Sequence, residues 1–256
     1  MLMKQAAGTM KKISLELGGN APFIIFDDAD VNQAAAGITN KRSILTTGTL
    51  ASKLRATGQT CVSANRIFVQ EGILPKFIEV LKEKMEGYKL GSGFAESTNA
   101  GPLIHGRAIK KVLEHVDDAK SKGAQVVLGG EALEGNFMKP TILTNMTPSM
   151  RIASEETFGP VAALFPFKDE DEVVKLANNV TVGLAGYLYT KDVSKVWRVS
   201  EKLEFGMVGV NTGLISDAAA PFGGIKESGF GREGSKYGVD EYTVLKAITM
   251  GGMDLQ

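Results

Sequence analysis

The only cysteine of the sequence lies in a polar turn. Cys61 is the single thiol among 256 residues, and it precedes a strand-like apolar run at 67–69. A thiolate is a nucleophile, and a polar loop at a strand edge, with Arg55 just upstream, would expose the thiol and favour its ionised form. The alternative is an inert buried cysteine that behaves as a small hydrophobic residue, which is the more common role of a lone cysteine.

Two acidic segments could supply a general base or bind a polar ligand. Glu16 stands among apolar residues in the segment 15–20, and an apolar setting raises a carboxyl pKa toward the range of a general base. The alternative is an edge-strand glutamate that faces water. The segment 155–160 places two carboxylates, an aromatic ring and a Gly-Pro turn together before a strand. Its alternative interpretation is a plain connection between a helix and a strand.

Three other patterns do not hold in context. Residues 229–234 match the glycine spacing of a dinucleotide-binding motif, but no strand-like run comes directly before them. Residues 28–39 imitate the start of a calcium loop and lack its glycine and its last acidic ligand. His105 and His115 have no cysteine near them, so we expect no metal site and place both on exposed helix surfaces.

Helices and strands alternate from about residue 74 onward. Helical spacing of apolar residues occurs at 74–90, 107–122, 169–179 and 193–203, and strand-like runs occur at 125–128, 162–167, 184–189 and 207–211. This alternation predicts an α/β fold with a mainly parallel sheet. Two more strand-like runs, at 13–17 and 22–26, have no preceding strand to pair with, so we predict that they are the last strands of a truncated Rossmann-like cofactor domain.

Four segments occur in the order found in aldehyde dehydrogenases, and the chain resembles that family over nearly its whole length. They are residues 15–20, 58–61, 156–160 and 221–229. The resemblance implies that Cys61 attacks the aldehyde carbon and that a hydride passes to the nicotinamide of NAD or NADP. It implies that Glu16 activates the water that hydrolyses the thioester, and that Glu156, Phe158 and Gly18 hold the nicotinamide ribose and ring. The backbone N–H of Cys61 would donate to the oxyanion.

The segments 211–216 and 221–224 are similar to the succinate-semialdehyde branch of that family. In that branch, an arginine six positions before the cysteine and a serine of the first segment hold the far carboxylate of the substrate. The matching residues here are Arg55 and Ser216, and a guanidinium binds a carboxylate through two hydrogen bonds. Many members carry a second cysteine where this sequence has Ser63, so no local disulfide is expected.

The resemblance therefore implies oxidation of succinate semialdehyde to succinate, as in 4-aminobutyrate degradation. Two alternatives stay open. One is a dehydrogenase of another small aldehyde or semialdehyde. The other is a non-catalytic family fragment that binds intact subunits through a C-terminal strand at 243–250.

Two features depart from the family pattern. The family's chain begins well before Met1, so we expect an incomplete copy without a cofactor-contacting lysine, the asparagine of the oxyanion hole and a second substrate arginine. In addition, residues 38–48 interrupt a helix, and their threonines and glycine favour a looped-out segment. We divide the chain into a remnant of the dinucleotide-binding domain (1–37), an atypical insertion (38–48), the catalytic domain (49–238) and a C-terminal oligomerisation strand (239–256).

Composition limits the remaining classes of function. The formal net charge is zero and the basic residues are dispersed, which argues against nucleic-acid binding. No apolar stretch reaches the length of a membrane span. A single cysteine fits a reducing compartment, and without a targeting segment we expect the cytoplasm or the mitochondrial matrix. The expected partners are a small aldehyde and, by resemblance, further copies of the chain in a dimer or tetramer.

Overall fold

A seven-stranded sheet organises the fold of this computed structural model, which describes residues 1–36 and 48–252. The strands are β1 (Leu15–Glu16), β2 (Ala21–Ile25), β3 (Ala64–Gln70), β4 (Gln125–Leu128), β5 (Thr141–Thr144), β6 (Val161–Phe167), β7 (Val182–Gly183), β8 (Ala185–Tyr189), β9 (Met207–Val210), β10 (Ile225–Lys226) and β11 (Gly229–Phe230). The strand order in the main sheet is β4-β5-β6-β3-β2-β8-β9. Neighbouring strands are parallel except for the pair β4 and β5 at one edge. The predicted α/β fold is confirmed.

Helices cover both faces of the sheet, which explains why its central strands are apolar along their whole length. Alternate residues of β2 enter two separate hydrophobic clusters, with Phe23 in one and Ile24 in the other. Phe77 of α4 belongs to the first cluster, and Val116 of α5 belongs to the second. The helices are α1 (Leu2–Ala6), α2 (Val31–Ala35), α3 (Thr49–Leu54), α4 (Leu74–Glu86), α5 (Gly106–Ser121), α6 (Glu170–Asn178) and α7 (Val193–Lys202).

The four longer helices were predicted from apolar spacing, and three of them, α5, α6 and α7, begin at a side chain that caps the helix. Asp169 accepts a hydrogen bond from the backbone of Glu172 at the start of α6, and Asp192 accepts one from Ser194 at the start of α7. His105 Nδ1 accepts from Ala108 N at the start of α5. These caps satisfy N–H groups that have no partner within the helix.

The structure differs from the sequence analysis at three strands. The run at 22–26 was described as having no preceding strand to pair with, and β2 pairs with two strands that follow it in sequence, β3 and β8, at the centre of the main sheet. The run at 125–128 was expected to be a buried strand, but β4 is an edge strand whose first two residues are exposed. The strand β5, which lies between β4 and β6, was not predicted. The division of the chain into domains stays a prediction.

The N-terminal strand β1 belongs to a small separate ribbon. Leu15 and Glu16 pair in antiparallel fashion with β11, so that Glu16 lies opposite Gly229. The rejected glycine-rich segment 229–234 thus begins with this ribbon strand, and its three glycines adopt positive φ. It neither follows a strand of the main sheet nor opens a helix, which agrees with its rejection as a dinucleotide-binding motif.

The two short helices that flank the expected insertion behave as parts of one helix. If 38–48 were removed, Ala51 would follow Ala36 by four positions, and Ala51 N already donates to Ala36 O at 3.3 Å. This is the i to i−4 bond of a continuous α-helix. Gly48 N also donates to Ala36 O, at 2.9 Å. Gly48, at the end of the insertion, therefore lies next to Ala36, at its beginning, and α3 continues the direction of α2. The insertion itself, apart from Gly48, lies outside the described residues.

The C-terminal segment forms no strand with the described part of the chain. After a 3-10 turn at Tyr237–Tyr242, residues 243–252 have no assigned regular structure. Val244, Leu245 and Ile248 are 90%, 103% and 73% exposed. The oligomerisation role of this segment stays a prediction. Within residues 1–36 and 48–252, no helix is long and apolar enough to cross a membrane, and no group of side chains has the composition of a metal site.

Candidate active site

The cysteine follows a sharp turn in the backbone. Helix α3 ends at Leu54, and a 3-10 turn covers Arg55–Gly58. Ala56, Thr57 and Gly58 have φ of 48°, 57° and 77°. A left-handed backbone conformation is costly for every residue except glycine. It persists only where contacts with the surrounding structure fix the backbone. Here Thr57 Oγ1 donates to Gly101 O at 3.0 Å.

The turn is pressed against a second loop of the site, Glu155–Gly159. A Cβ atom on Gly58 would lie only 2.1 Å from the carbonyl oxygen of Gly159, so glycine is required there. The same contact brings the Glu156 carboxylate close enough to Cys61 to influence its ionisation. Two segments about a hundred residues apart in sequence are thus locked together beside the thiol.

Cys61 is half-buried, and its environment favours the protonated thiol. Burial is the main cause of its raised pKa, and the carboxylates of Glu16 and Glu156 raise the pKa further. The backbone N–H groups of Cys61 and Val62 act in the opposite direction. The expectation that the loop with Arg55 would favour the thiolate is therefore wrong, because burial and two nearby negative charges outweigh any stabilisation of the ionised sulfur.

Glu16 lies on β1 and faces an open cleft of about 680 Å³ that it shares with Glu233. Glu16 is an exposed residue, and the pKa of its carboxyl group is raised, first by partial burial and then by the negative charge of Glu233 and a hydrogen bond with it. A raised carboxyl pKa is what a general base requires. The structure thus places Glu16 within electrostatic reach of Cys61, while its hydrogen bond goes to Glu233, a residue that the sequence did not single out.

The influence of Glu16 on the thiol gives a first testable result. Replacing Glu16 by glutamine removes a negative charge that raises the pKa of Cys61, so we expect that pKa to fall. Alkylation of Cys61 by iodoacetamide, followed across pH by mass spectrometry, measures the midpoint directly because Cys61 is the only thiol. The change Glu134→Gln, at an exposed turn, serves as the control. An unchanged or higher midpoint in Glu16→Gln would contradict the arrangement.

Arg55 and Ser216 line one narrow pocket next to the cysteine. The residues on either side of Cys61, Thr60 and Val62, line the same pocket. Its floor is formed by the buried side chain of Tyr187, whose hydroxyl donates to Val62 O at 2.7 Å. Both Arg55 and Ser216 are themselves exposed. The structure therefore brings together a guanidinium, a hydroxyl and the backbone of the thiol loop.

Glu156 is held by the segment that connects β1 and β2. Its Oε1 accepts from Gly19 N at 2.9 Å, and a Cβ on Gly18 would lie 2.8 Å from its Oε2. Because Gly18 has no side chain, the second carboxylate oxygen stays accessible. Phe158 follows two residues later and exposes 39% of its surface. An accessible carboxylate beside an exposed ring fits a ribose diol and a planar heterocycle.

Three buried polar residues behind this loop were missed. Lys53 is fully buried, and burial lowers its pKa to about 7 against the opposing effect of Glu156. His115 is also fully buried, which corrects the expectation of an exposed histidine; His105 is exposed as predicted. Burial lowers the His115 pKa as well. Thr157 hydrogen-bonds to both residues. The apolar face of α5, with Val112 and Val116, was the signal that could have located His115.

Comparison with known proteins gives consistent matches. The family model described as the aldehyde dehydrogenase family matches residues 1–248. The glutarate-semialdehyde dehydrogenase of Pseudomonas putida is 54% identical over 96% of this chain and 49% of its own length. The succinate-semialdehyde dehydrogenase of Escherichia coli, named for NADP⁺, is 51% identical over 98% of this chain and 50% of its own.

A solved structure agrees with these sequence matches. The crystal structure of succinate-semialdehyde dehydrogenase from Burkholderia pseudomallei superposes with a TM-score of 0.90 at 51% identity, covering 96% of this chain and 49% of that one. The chain thus spans about half the length of the relatives that it matches. Because the family model matches nearly the whole chain and these relatives share about half of its residues, the chain belongs to the aldehyde dehydrogenase family.

Proposed function

We propose that this chain supplies the thiol-bearing part of an NAD(P)-dependent dehydrogenase for short aldehydes with a terminal anion, with succinate semialdehyde as the preferred substrate. The observation that carries the proposal is the pocket in which Arg55 and Ser216 lie beside Thr60 and Val62. An aldehyde whose far end is a carboxylate could place that end on Arg55 and its carbonyl carbon at the thiol. The relatives named for succinate and glutarate semialdehydes share this substrate chemistry.

The overall reaction consumes one aldehyde, one oxidised cofactor and one water, and yields a carboxylate, the reduced cofactor and two protons. The Cys61 sulfur forms a bond to the aldehyde carbon, and the carbonyl oxygen becomes an oxyanion that the Cys61 N–H can stabilise. After oxidation the carbon is held as a thioester. Water then adds to it, the carbon–sulfur bond breaks, and the thiol is regenerated.

Glu16 is the group that moves protons in this scheme. Its raised pKa and its effect on the Cys61 pKa support a role in which it accepts a proton from the attacking water. Glu233 keeps a second negative charge next to it, which makes the Glu16 carboxylate more basic.

The nicotinamide cofactor, when bound, supplies the hydride acceptor. Glu156 would hold the ribose hydroxyls, Gly18 leaves room for them beside Oε2, and Phe158 would contact the ring. Both NAD and NADP stay within the proposal, and the Escherichia coli relative is named for NADP⁺. A single thiol in a catalytic role fits a reducing compartment, the cytoplasm or the mitochondrial matrix.

The substrate proposal can be tested without any cofactor, because an aldehyde and a thiol form a thiohemiacetal reversibly. We expect succinate semialdehyde to protect Cys61 from alkylation at concentrations well below those of propanal. In Arg55→Ala, the concentration of succinate semialdehyde needed should rise roughly 10- to 150-fold, since a charge-assisted hydrogen bond contributes about 1.5–3 kcal/mol. Protection by propanal should not change.

Two comparisons make that result specific. The variant Arg107→Ala removes an exposed arginine at the start of α5, outside the pocket. In this variant, succinate semialdehyde should protect Cys61 at the same concentration as in the parent. Glutarate semialdehyde, one methylene longer, tests how the pocket limits chain length. Equal losses for succinate semialdehyde and propanal in Arg55→Ala would show that Arg55 does not bind a carboxylate.

We also propose that residues 243–250 contact another copy of the chain. The support is three exposed apolar side chains, Val244, Leu245 and Ile248, in a segment that belongs to no helix or strand of the described residues. Exposed apolar surface of this kind marks interaction sites. A subunit contact through this segment is compatible with the dehydrogenase proposal, since it leaves the thiol pocket free.

A further inference from the structure

Thr157 is held from one side by a buried lysine. Lys53 Nζ donates to Thr157 O at 3.3 Å and to Asn65 Oδ1 at 2.6 Å. Lys53 belongs to α3, the helix that leads into the cysteine turn, and Asn65 belongs to β3, the strand that leaves it. The Thr157 carbonyl is thereby tied to both backbone segments that fix Cys61.

From the other side Thr157 is held by a buried histidine. His115 Nδ1 lies 2.8 Å from Thr157 Oγ1, and His115 Nε2 lies 3.2 Å from Glu155 Oε2. Arg151 binds Glu155 with two hydrogen bonds and lowers its pKa to about 2, so Glu155 is ionised and can only accept. The proton of neutral His115 therefore sits on Nε2, and Nδ1 accepts from the Thr157 hydroxyl.

Close packing leaves this loop little freedom to move. A Cβ on Gly159 would lie 2.5 Å from Val112 Cγ2 of α5, and the Gly159 carbonyl abuts Gly58 on the opposite side. Val112 and His115 are three residues apart and so share one face of the helix. The loop is enclosed between α5 and the cysteine turn, with Glu156 and Phe158 on either side of the doubly held Thr157.

We propose that Lys53, Thr157 and His115 are positioning residues that fix the Glu156 carboxylate relative to the Cys61 sulfur through one continuous buried hydrogen-bond chain from α3 to α5. The inference rests on the proposed function in one respect, namely that Glu156 holds the cofactor ribose. Reaction rates depend steeply on the relative placement of reacting groups, and a displacement of about 1 Å can cost on the order of 100-fold. A loop that carries a cofactor contact next to a nucleophile therefore needs such a fixed link.

The test uses the electrostatic effect of Glu156 on Cys61, which requires neither aldehyde nor cofactor. Because the negative charge of Glu156 raises the Cys61 pKa, the alkylation midpoint of the single thiol reports where that carboxylate is. In the full 256-residue chain, Glu156→Gln sets the midpoint expected when the charge is absent. Thr157→Val removes only the hydroxyl while keeping the side-chain shape, and Thr157→Ser keeps the hydroxyl.

We expect the Thr157→Val midpoint to fall toward that of Glu156→Gln, so that alkylation at neutral pH becomes faster than in the parent and no faster than in Glu156→Gln. Thr157→Ser should keep the parent midpoint. In the double variant with Glu156→Gln, Thr157→Val should cause no further shift, since the two changes act through one carboxylate. Lys53→Met removes the hydrogen bond to the Thr157 carbonyl oxygen and fills the space with a side chain of similar length. We expect the alkylation midpoint of Cys61 to fall in this variant as well.

A purely structural role gives a different pattern. Thr141 is a fully buried threonine on β5 whose hydroxyl bonds Gly130 N at 2.8 Å and Lys139 O at 2.9 Å. Thr141→Val should lower thermal stability and leave the thiol midpoint unchanged. The proposal is overturned if Thr157→Val and Lys53→Met behave like Thr141→Val, if Glu156→Gln leaves the midpoint unchanged, or if the double variant shows an additive shift. The alkylation midpoint of Cys61 can be measured whether or not succinate semialdehyde protects the thiol. The two experiments therefore test the two proposals independently.

Discussion

Replacing Gly58 by alanine is expected to lower the free energy of unfolding by about 2–5 kcal/mol and to detach the cysteine turn from the loop Glu155–Gly159. Two costs add. A left-handed backbone conformation costs a non-glycine residue about 1–2 kcal/mol, and Gly58 has a φ of 77°. The new Cβ would also lie 2.1 Å from the Gly159 carbonyl oxygen. Overpacking of this kind costs about 1–3 kcal/mol, and here the obstructing atom belongs to backbone.

Urea unfolding followed by circular dichroism measures this change. The matched control is Gly93→Ala, because a Cβ on Gly93 has no heavy atom within 4 Å, so its stability should stay within about 0.5 kcal/mol of the parent. A loss below about 1 kcal/mol in Gly58→Ala would mean that the turn relaxes freely and that its contact with Gly159 does not hold the site together.

The second large effect is expected at Arg66. Its guanidinium, only 2% exposed, donates to the backbone oxygens of Asn20, Leu176 and Ala177 at 2.9, 3.0 and 2.8 Å. Leu176 and Ala177 lie in the last turn of α6, whose carbonyls have no helical partner. In Arg66→Met these three buried oxygens lose their donor, and each unsatisfied buried group costs about 1–3 kcal/mol. We expect a total loss of at least roughly 3 kcal/mol in the free energy of unfolding, the sum of the three smallest costs.

An exposed arginine with equally good geometry provides the comparison. Arg198 binds Glu170 through two hydrogen bonds at 3.0 and 2.8 Å, but half of its side chain is exposed. Surface ion pairs contribute about 0–1 kcal/mol, so Arg198→Met should have little effect. Similar losses for the two variants would show that burial is not what makes Arg66 important.

The fold was largely predictable because its elements obey simple periodicity. The helices α4 to α7 place apolar residues at helical spacing, and β6, β8 and β9 are short apolar runs between them. The strand β5 was missed because Thr141 and Thr144 frame only two apolar residues. The position of β2 at the centre of the sheet could not be predicted from its place in the sequence, since β3 and β8 lie on either side of it through long crossover connections.

The site was predictable only where its residues occur in ordered motifs. Cys61, Glu16 and Glu156 were singled out from segments that resemble a family, and the structure places Glu16 and Glu156 where their charges affect the thiol. Buried His115 and Lys53 both form hydrogen bonds with Thr157, which is distant from both in sequence. The raised pKa of Cys61 likewise results from charges contributed by remote segments. Local sequence contains none of this information.

The register between α2 and α3 has a consequence for how this gene could tolerate change. Ala51 N donates to Ala36 O, the hydrogen bond that a continuous helix without the insertion would make. Any segment that joins Ala36 to Thr49 therefore has to bridge only the short distance between two hydrogen-bonded positions. Deleting 37–47 or 38–48 would give the same product, because both 37 and 48 are glycine. The position is therefore a natural graft point. The entropic cost of a flexible graft would grow by only about 0.6 kcal/mol for each doubling of its length, so epitopes or reporter peptides placed there should leave the thiol turn intact.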